Sequence, residues 1–244
     1  MSRLLVLQHL ERESPGLYLR IAEERGMHVK IFRLDLGDPL PELLKGDLLL
    51  ILGGPMGIRD IQNRNYPWMR REVNLIKEAL EKQIALIGVC LGAQLLAHAA
   101  GGGIETLLCG SNLQPLPEVG WEPIYSSGIR KNEPLAKLLE EAFYTLHWHG
   151  DRILLPDSAE LIASSNRCKE QLFKVGPIAY GLQFHIETVD DMVFRWIEED
   201  QEFIRSALGI DAGVILRKQQ QDFGKETLQC RLVFLRRIFE LIGF

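Results

Sequence analysis

The stretch Ile84-Ala85-Leu86-Ile87-Gly88-Val89-Cys90-Leu91-Gly92-Ala93-Gln94-Leu95-Leu96-Ala97-His98-Ala99-Ala100-Gly101 decides the fold. Its first half is an apolar run rich in Ile, Leu and Val, as in a strand buried on both faces of a parallel sheet. The run stops at Gly88-Val89-Cys90-Leu91-Gly92, and a short apolar helix follows at once, ending on glycine. Glycines two positions either side of Cys90 permit a strained strand-to-helix turn that lifts one side chain clear of the backbone. The first free N–H groups of the helix then point at that side chain, where they stabilise a thiolate and an oxyanion forming beside it. A cysteine that merely packs in a core needs no such turn. Cys90 is read as a nucleophile on an elbow.

Working outward, Leu4 to Leu7 form a first apolar strand. Ser14-Pro15 is expected to open a helix, with Ser as cap, and Gly26 to close it. His28 to Leu34 alternates as a second strand, and Asp47 to Leu52 is a third that breaks at Gly53-Gly54-Pro55-Met56-Gly57. Tyr66-Pro67 begins a helix with Trp68, Val73, Ile76 and Leu80 at helical spacing. Strands alternating with helices imply an α/β fold with a doubly wound, mostly parallel sheet. Sites in such sheets collect at the carboxyl ends of the strands, where both Gly53-Gly54 and Cys90 fall.

Beyond Gly101 the periodicity fails, and an irregular excursion is expected to Glu118. Trp121 to Ser126, Phe143 to His149, Leu161 to Ser164 and Gln171 to Lys174 read as further strands, antiparallel or mixed because their connections are short. Glu133 to Glu141 reads as a short helix. Ile178 to Glu187 alternates most cleanly: Ile178, Tyr180, Leu182, Phe184 and Ile186 on one face, Ala179, Gly181, Gln183, His185 and Glu187 on the other. From Val189 onward apolar stripes mark helices. With no linker and no internal repeat, residues 1–244 are expected to form one domain, 1–205 as a core and 206–244 as a helical extension.

The 244 residues suffice for a substantial core. A net charge of −5 without a basic block argues against nucleic acid as a partner. Cys90, Cys109, Cys168 and Cys230 are scattered without a C-x-x-C pair, which suits a reducing cytoplasm. The opening apolar run is too short for a signal peptide, and no run could span a bilayer, so no membrane association is expected.

A cysteine nucleophile needs a base and a group that orients the base. His185 and Glu187, two apart on a strand, leave the same face, so the carboxylate can hold the far ring nitrogen and fix the tautomer. His28 and His98 have no motif around them, and His9, just past the first strand, is read as structural. His147, His149, His185 and Glu187 are also residue types that bind metals, but a thiolate elbow has no role in such a site, and neither metal nor cofactor is expected.

Gly53-Gly54-Pro55, Gly88-Val89-Cys90-Leu91-Gly92-Ala93-Gln94 and Gln183-Phe184-His185-Ile186-Glu187, in this order, resemble the class I glutamine amidotransferase family. Glu118-Val119-Gly120-Trp121 and His147-Trp148-His149-Gly150-Asp151 extend the likeness, which runs from residue 4 to about 200 and leans toward free-standing relatives of the GMP synthase amidotransferase domain. The resemblance implies a flavodoxin-like sheet with an added small mixed or antiparallel layer and C-terminal helices. It implies hydrolysis of a γ-glutamyl amide, releasing ammonia from glutamine, with Cys90 as nucleophile, His185 as proton shuttle and Glu187 as orienting acid. Gly54 and Leu91 would supply the oxyanion N–H groups. Gly53, Gln94, His149, Gly150 and Asp151 would bind substrate. Ile186 stands where the family usually has proline, and Thr188 where a second proline is common. Three readings stay open: an amidotransferase serving a separate synthetase, since the sequence has neither a P-loop nor a pyrophosphate loop; a free-standing γ-glutamyl peptidase or hydrolase; and an α/β-hydrolase-like enzyme taking its acid from another strand, for instance Asp157.

Overall fold

The computed structural model describes residues 2–109, 113–128, 133–139 and 141–244; Gly110–Asn112 of the expected excursion and Glu140 of the expected short helix lie outside them. The chain begins with β1 (Arg3–Gln8), α1 (Leu17–Glu24), β2 (His28–Arg33), β3 (Asp47–Ile51), α2 (Met69–Glu81), β4 (Ala85–Val89) and α3 (Leu91–Ala99). The strands β5 (Gly103–Thr106), β6 (Leu108–Cys109), β7 (Gln114–Pro115), β8 (Glu118–Ser126), β9 (Phe143–His149), β10 (Asp151–Leu154), β11 (Ala159–Ser164), β12 (Leu172–Val175) and β13 (Ala179–Leu182) follow. Four helices end it: α4 (Asp190–Glu199), α5 (Gln201–Leu208), α6 (Ala212–Glu226) and α7 (Leu228–Leu241).

Nine strands form one sheet in the order β2-β1-β3-β4-β13-β12-β11-β8-β9. The first five are mutually parallel, and the remaining strands continue the same sheet with antiparallel pairings. This is a flavodoxin-like parallel half, whose crevice opens where the strand order reverses between β1 and β3. Leu48, Leu49, Leu50 and Ile51 are fully buried because helices cover both faces. Leu17, Tyr18 and Ile21 of α1 join Leu232, Leu235 and Ile238 of α7 on one side. Met69, Val73 and Ile76 of α2 join Leu95 and Leu96 of α3 on the other. The helices α4 to α6 pack on β8 and β9 around Trp121, Leu146, Trp196 and Leu216. Among the described residues no helix is long and apolar enough to cross a membrane.

Four expectations need correction. The first helix starts at Leu17, with Gly16 (φ 45°) preceding it, because the Leu17 N–H donates to the Glu187 carbonyl at 2.8 Å. A Cβ on Gly16 would collide with that carbonyl. The second helix starts at Met69, leaving Tyr66-Pro67 in the preceding turn. The excursion after Gly101 is partly regular: β5 pairs antiparallel with β10, Gly103 opposite Leu154 and Thr106 opposite Asp151. Its four residues hold one large apolar side chain, too few to show a period. Of the expected helix near 133–141, Ala136–Leu139 form a single 3-10 turn.

Regular pairing in β13 ends at Leu182, five residues before Glu187, yet the alternation continues. Tyr180, Leu182, Phe184 and Ile186 all enter the same core. The backbone keeps its bonds by changing partners: the Gln183 N–H donates to Gln171 O at 2.8 Å, and His185 and Leu146 exchange bonds at 2.8 and 3.2 Å. β9 is thereby drawn back beside the chain that follows β13.

The C-terminal helix fixes what comes next. Arg231 is 2% exposed, and its guanidinium donates to Ile186 O (3.2 Å), Thr188 O (2.7 Å) and Gly224 O (2.8 Å) while lying over the Trp121 ring. Burial draws its pKa down to about 10. Replacing Arg231 with Met should orphan these carbonyls and cost about 3 kcal/mol of unfolding free energy. Urea titration measures the loss; an unchanged midpoint would mean that the Ile186–Thr188 backbone is held by other contacts.

Candidate active site

At the carboxyl end of β4 the backbone turns through Cys90 at φ 50° and ψ −105°. The neighbouring glycines are forced by close packing: a Cβ on Gly88 would strike the Gly92 carbonyl, and a Cβ on Gly92 would strike Ile51 O of β3. The Cys90 N–H donates to Leu182 O at 2.7 Å, tying the elbow to β13. Its sulfur sits at the N-terminus of α3, where the Leu91 N–H has no acceptor among the described residues.

A cleft of about 280 Å³ opens over the sulfur. Of the residues singled out from sequence, Gly54, Cys90, Leu91, Gln94, His149, Gly150, Asp151 and His185 line it, while Gly53 and Glu187 stand behind its wall. The Cys90 sulfur and the His185 ring line the same cleft, close enough for the sulfur to help hold a proton on the ring. On the ring's other side Nδ1 meets Glu187 Oε1 at 2.6 Å, with both side chains almost wholly buried. Burial alone would push the His185 pKa down. The Glu187 carboxylate, aided by the sulfur, outweighs it and holds the ring well above the usual histidine range. Trp196 packs edge-on against the ring at 4.8 Å between centroids, limiting its rotation. Around the sulfur, the Gln183 side-chain amide donates to it at 3.7 Å, and the thiol reaches Trp148 O at 4.0 Å.

Gln94 is buried, and its amide lies 3.4 Å from Gln183 Oε1. His149 is held at both ring nitrogens, by Asp151 O at 2.9 Å and Glu118 Oε2 at 3.0 Å. Burial would raise the Glu118 pKa, but hydrogen bonds from His149 and Ser165 and the nearby His147 hold it down at about 2. The four residues considered as metal ligands are divided between two places, since His185 and Glu187 pair with each other while His147 and His149 turn to Glu118. Among the described residues Glu118, His147 and His149 bring ligand atoms within 4.8 Å of one another. Both Glu118 oxygens already accept protein hydrogen bonds, from Ser165 at 2.5 Å and Gln171 at 2.6 Å. Asp157 is exposed in the turn before β11, and the acid on the His185 ring is Glu187.

Arg12, Asp200 and Phe203 line the cleft and carried no signal in sequence. Arg12 pairs with Asp200 at 2.7 Å, Asp200 also accepts from the Trp148 indole at 2.9 Å, and Phe203 completes that rim. They come from the β1–α1 loop, β9 and the α4–α5 junction. The carboxylate of Glu13 lies against Gly53 near the His185 ring, and burial raises its pKa. His9 was read as structural for want of a partner; it has two, Gly53 O and Glu72 Oε1, each at 2.8 Å.

The sequence of residues 17–192 matches the model of the family described as glutamine amidotransferase class-I. The chain is 32% identical over 209 residues to the glutamine amidotransferase-like protein YfeJ of Salmonella typhimurium, covering 85% of this chain and 84% of that one. It is 25% identical over 194 residues to the GMP synthase [glutamine-hydrolyzing] of Cytophaga hutchinsonii, covering 79% of this chain but only 34% of that protein. Among solved structures, a glutamine amidotransferase from Thermotoga maritima superposes with a TM-score of 0.82 at 28% identity over 98% of both chains. The likeness in structure therefore includes the C-terminal helices, which the motif resemblance did not reach. The chain belongs to the class-I glutamine amidotransferase family.

Proposed function

We propose that this protein hydrolyses the γ-carboxamide of glutamine through a γ-glutamyl thioester on Cys90, releasing ammonia. The observation that carries the reading is that Cys90 and His185 line one cleft while Glu187, behind it, holds the far side of the His185 ring at 2.6 Å. The Cys90 thiolate attacks the amide carbon, and the carbonyl oxygen becomes an oxyanion facing the N–H groups of Gly54 and Leu91. His185, as imidazolium, gives its proton to the leaving nitrogen; the C–N bond breaks and ammonia departs. Neutral His185 then takes a proton from water, the hydroxide adds to the thioester, and glutamate leaves as the thiolate reforms. Gln94, with the His149-Gly150-Asp151 wall, holds the amino-acid end of the substrate.

The ammonia is passed to a separate synthetase that activates its own acceptor, and the protein works in the cytoplasm. The free thiols Cys90, Cys168 and Cys230 support a reducing compartment. The 206–244 helices act with the 1–205 core as one domain, in keeping with the grip of Arg231 on the Ile186–Thr188 backbone.

Incubating the purified chain with glutamine, with and without candidate synthetases, and assaying ammonia tests the reading. Preferential cleavage of γ-glutamyl peptides would redirect it to a peptidase. The Cys90→Ala protein should fold and release no ammonia; an unaffected rate removes the mechanism. Cys90→Gly should be equally inactive yet about 1 kcal/mol more stable than Cys90→Ala, because glycine relieves the strain at positive φ. Comparing their thermal unfolding measures this.

Glu187→Gln should lower kcat about a hundred- to ten-thousandfold. The sign of the pH effect follows from the balance at His185. Without the carboxylate, burial is left to push the ring's pKa down, so the imidazolium acid is lost at lower pH. The alkaline limb of kcat/KM should move to lower pH in this variant. A limb that stays in place assigns it to another group.

A further inference from the structure

The reaction proposed above, on which this inference rests, requires the Gly54 N–H to face the reacting carbonyl. A glycine turn does not secure that by itself, because a peptide between two glycines rotates easily. In a trans peptide the C=O and the following N–H point in opposite directions, so holding one aims the other. Among the described residues no peptide is cis, and the carbonyl of the Gly53–Gly54 peptide is held by His9 Nδ1 at 2.8 Å. The other ring nitrogen meets Glu72 Oε1 of α2 at 2.8 Å. Both side chains are fully buried. Gly54 is also gripped sterically, since a Cβ there would lie 3.2 Å from His9 Cβ and 3.1 Å from Leu91 Cδ2. Its N–H has no acceptor among the described residues, and Gly54 lines the cleft beside Cys90.

We propose that His9, braced by Glu72, is a positioning residue that locks the Gly53–Gly54 peptide with its N–H toward Cys90, so that the oxyanion site is formed before substrate arrives. A carbonyl oxygen can only accept, so Nδ1 must carry a proton. Burial would lower the His9 pKa, yet the Glu72 carboxylate prevails and raises it. The ring then donates from both nitrogens, and its charge polarises the peptide so that the Gly54 N–H becomes a stronger donor.

Three variants test this, with kcat and KM for glutamine, alkylation of Cys90 by iodoacetamide, and a crystal structure as readouts. His9→Phe should lower kcat about a hundred- to thousandfold, the loss expected for one oxyanion donor. KM and the alkylation rate should hold, because alkylation forms no oxyanion. His9→Asn, whose amide N–H can reach the same carbonyl, should recover part of that loss. Glu72→Gln, which keeps the ring but removes the charge behind it, should cost about tenfold in kcat and carries the test if His9→Phe does not fold. In crystals of His9→Phe, or of Glu72→Gln in its place, the Gly53–Gly54 peptide should be rotated or split between orientations. An unchanged kcat, alkylation falling in step with kcat, equal losses in the Phe and Asn variants, or an unmoved peptide overturns the proposal. A wild-type chain that alkylates at Cys90 but releases no ammonia sinks the glutaminase reading instead, and the peptide's orientation in the variant crystals still decides this one.

Discussion

Cys90 sits in a backbone conformation that L-residues avoid, at a cost of about 1–3 kcal/mol. The strain persists because everything around it is over-determined. Strand β4 is buried between β3 and β13, and α3 lies so close to β3 that Gly92 has no room for a methyl group against Ile51 O. The Cys90 N–H is tied to β13. A relaxed turn would have to break that bond or push α3 away from a core holding Leu91, Ala93, Leu95 and Leu96, all nearly inaccessible to solvent. Packing thus keeps the sulfur raised at the mouth of the cleft.

The remaining groups reach the same point because the parallel strands end together. β1 delivers His9, Arg12 and Glu13, β3 delivers Gly53 and Gly54, β4 delivers Cys90, and β13 leads into His185 and Glu187. This last delivery is the most exposed to error, since the regular ladder ends at Leu182 and the five residues to Glu187 must hold their places without it. Backbone bonds to Leu146 and Leu17, together with the Arg231 fork from α7, hold them. The C-terminal helices are therefore structurally coupled to the acid and the imidazole, although none of the α7 side chains lines the cleft.

What sequence revealed and what it hid divide along contact range. The elbow was legible because its glycines, cysteine and apolar flanks are neighbours in the chain. The alternation from Ile178 to Glu187 was legible even past the end of β13, because burial keeps side chains alternating when the hydrogen bonds change partners. The β5–β10 ribbon was hidden, as four residues with one large apolar side chain carry no period. The start of α1 was misplaced because a carbonyl from Glu187, far along the chain, decides it. His9 looked ordinary for the same reason, with partners 44 and 63 residues away. The Arg12–Asp200–Trp148 rim joins three distant segments and no local pattern announces it.

His9–Glu72 and His185–Glu187 are both buried histidine–carboxylate pairs beside the cleft, and the atom each ring faces separates their uses. His9 faces a carbonyl oxygen, which can only accept, so its Nδ1 proton has nowhere to go and the ring serves as a strut. His185 faces a sulfur, which can give or take a proton, so the same kind of pair becomes a shuttle on the proposed reaction path. In both, burial disfavours the charged ring and a carboxylate within 2.8 Å restores it. Either pair stripped of its carboxylate would leave a neutral imidazole. For His185 that removes the acid needed by the leaving nitrogen; for His9 it removes the polarising charge and frees the ring's tautomer, so that Nδ1 no longer always donates to Gly53 O. The two carboxylates should therefore differ in how much their removal matters, Glu187 more than Glu72, although their burial and geometry are nearly the same.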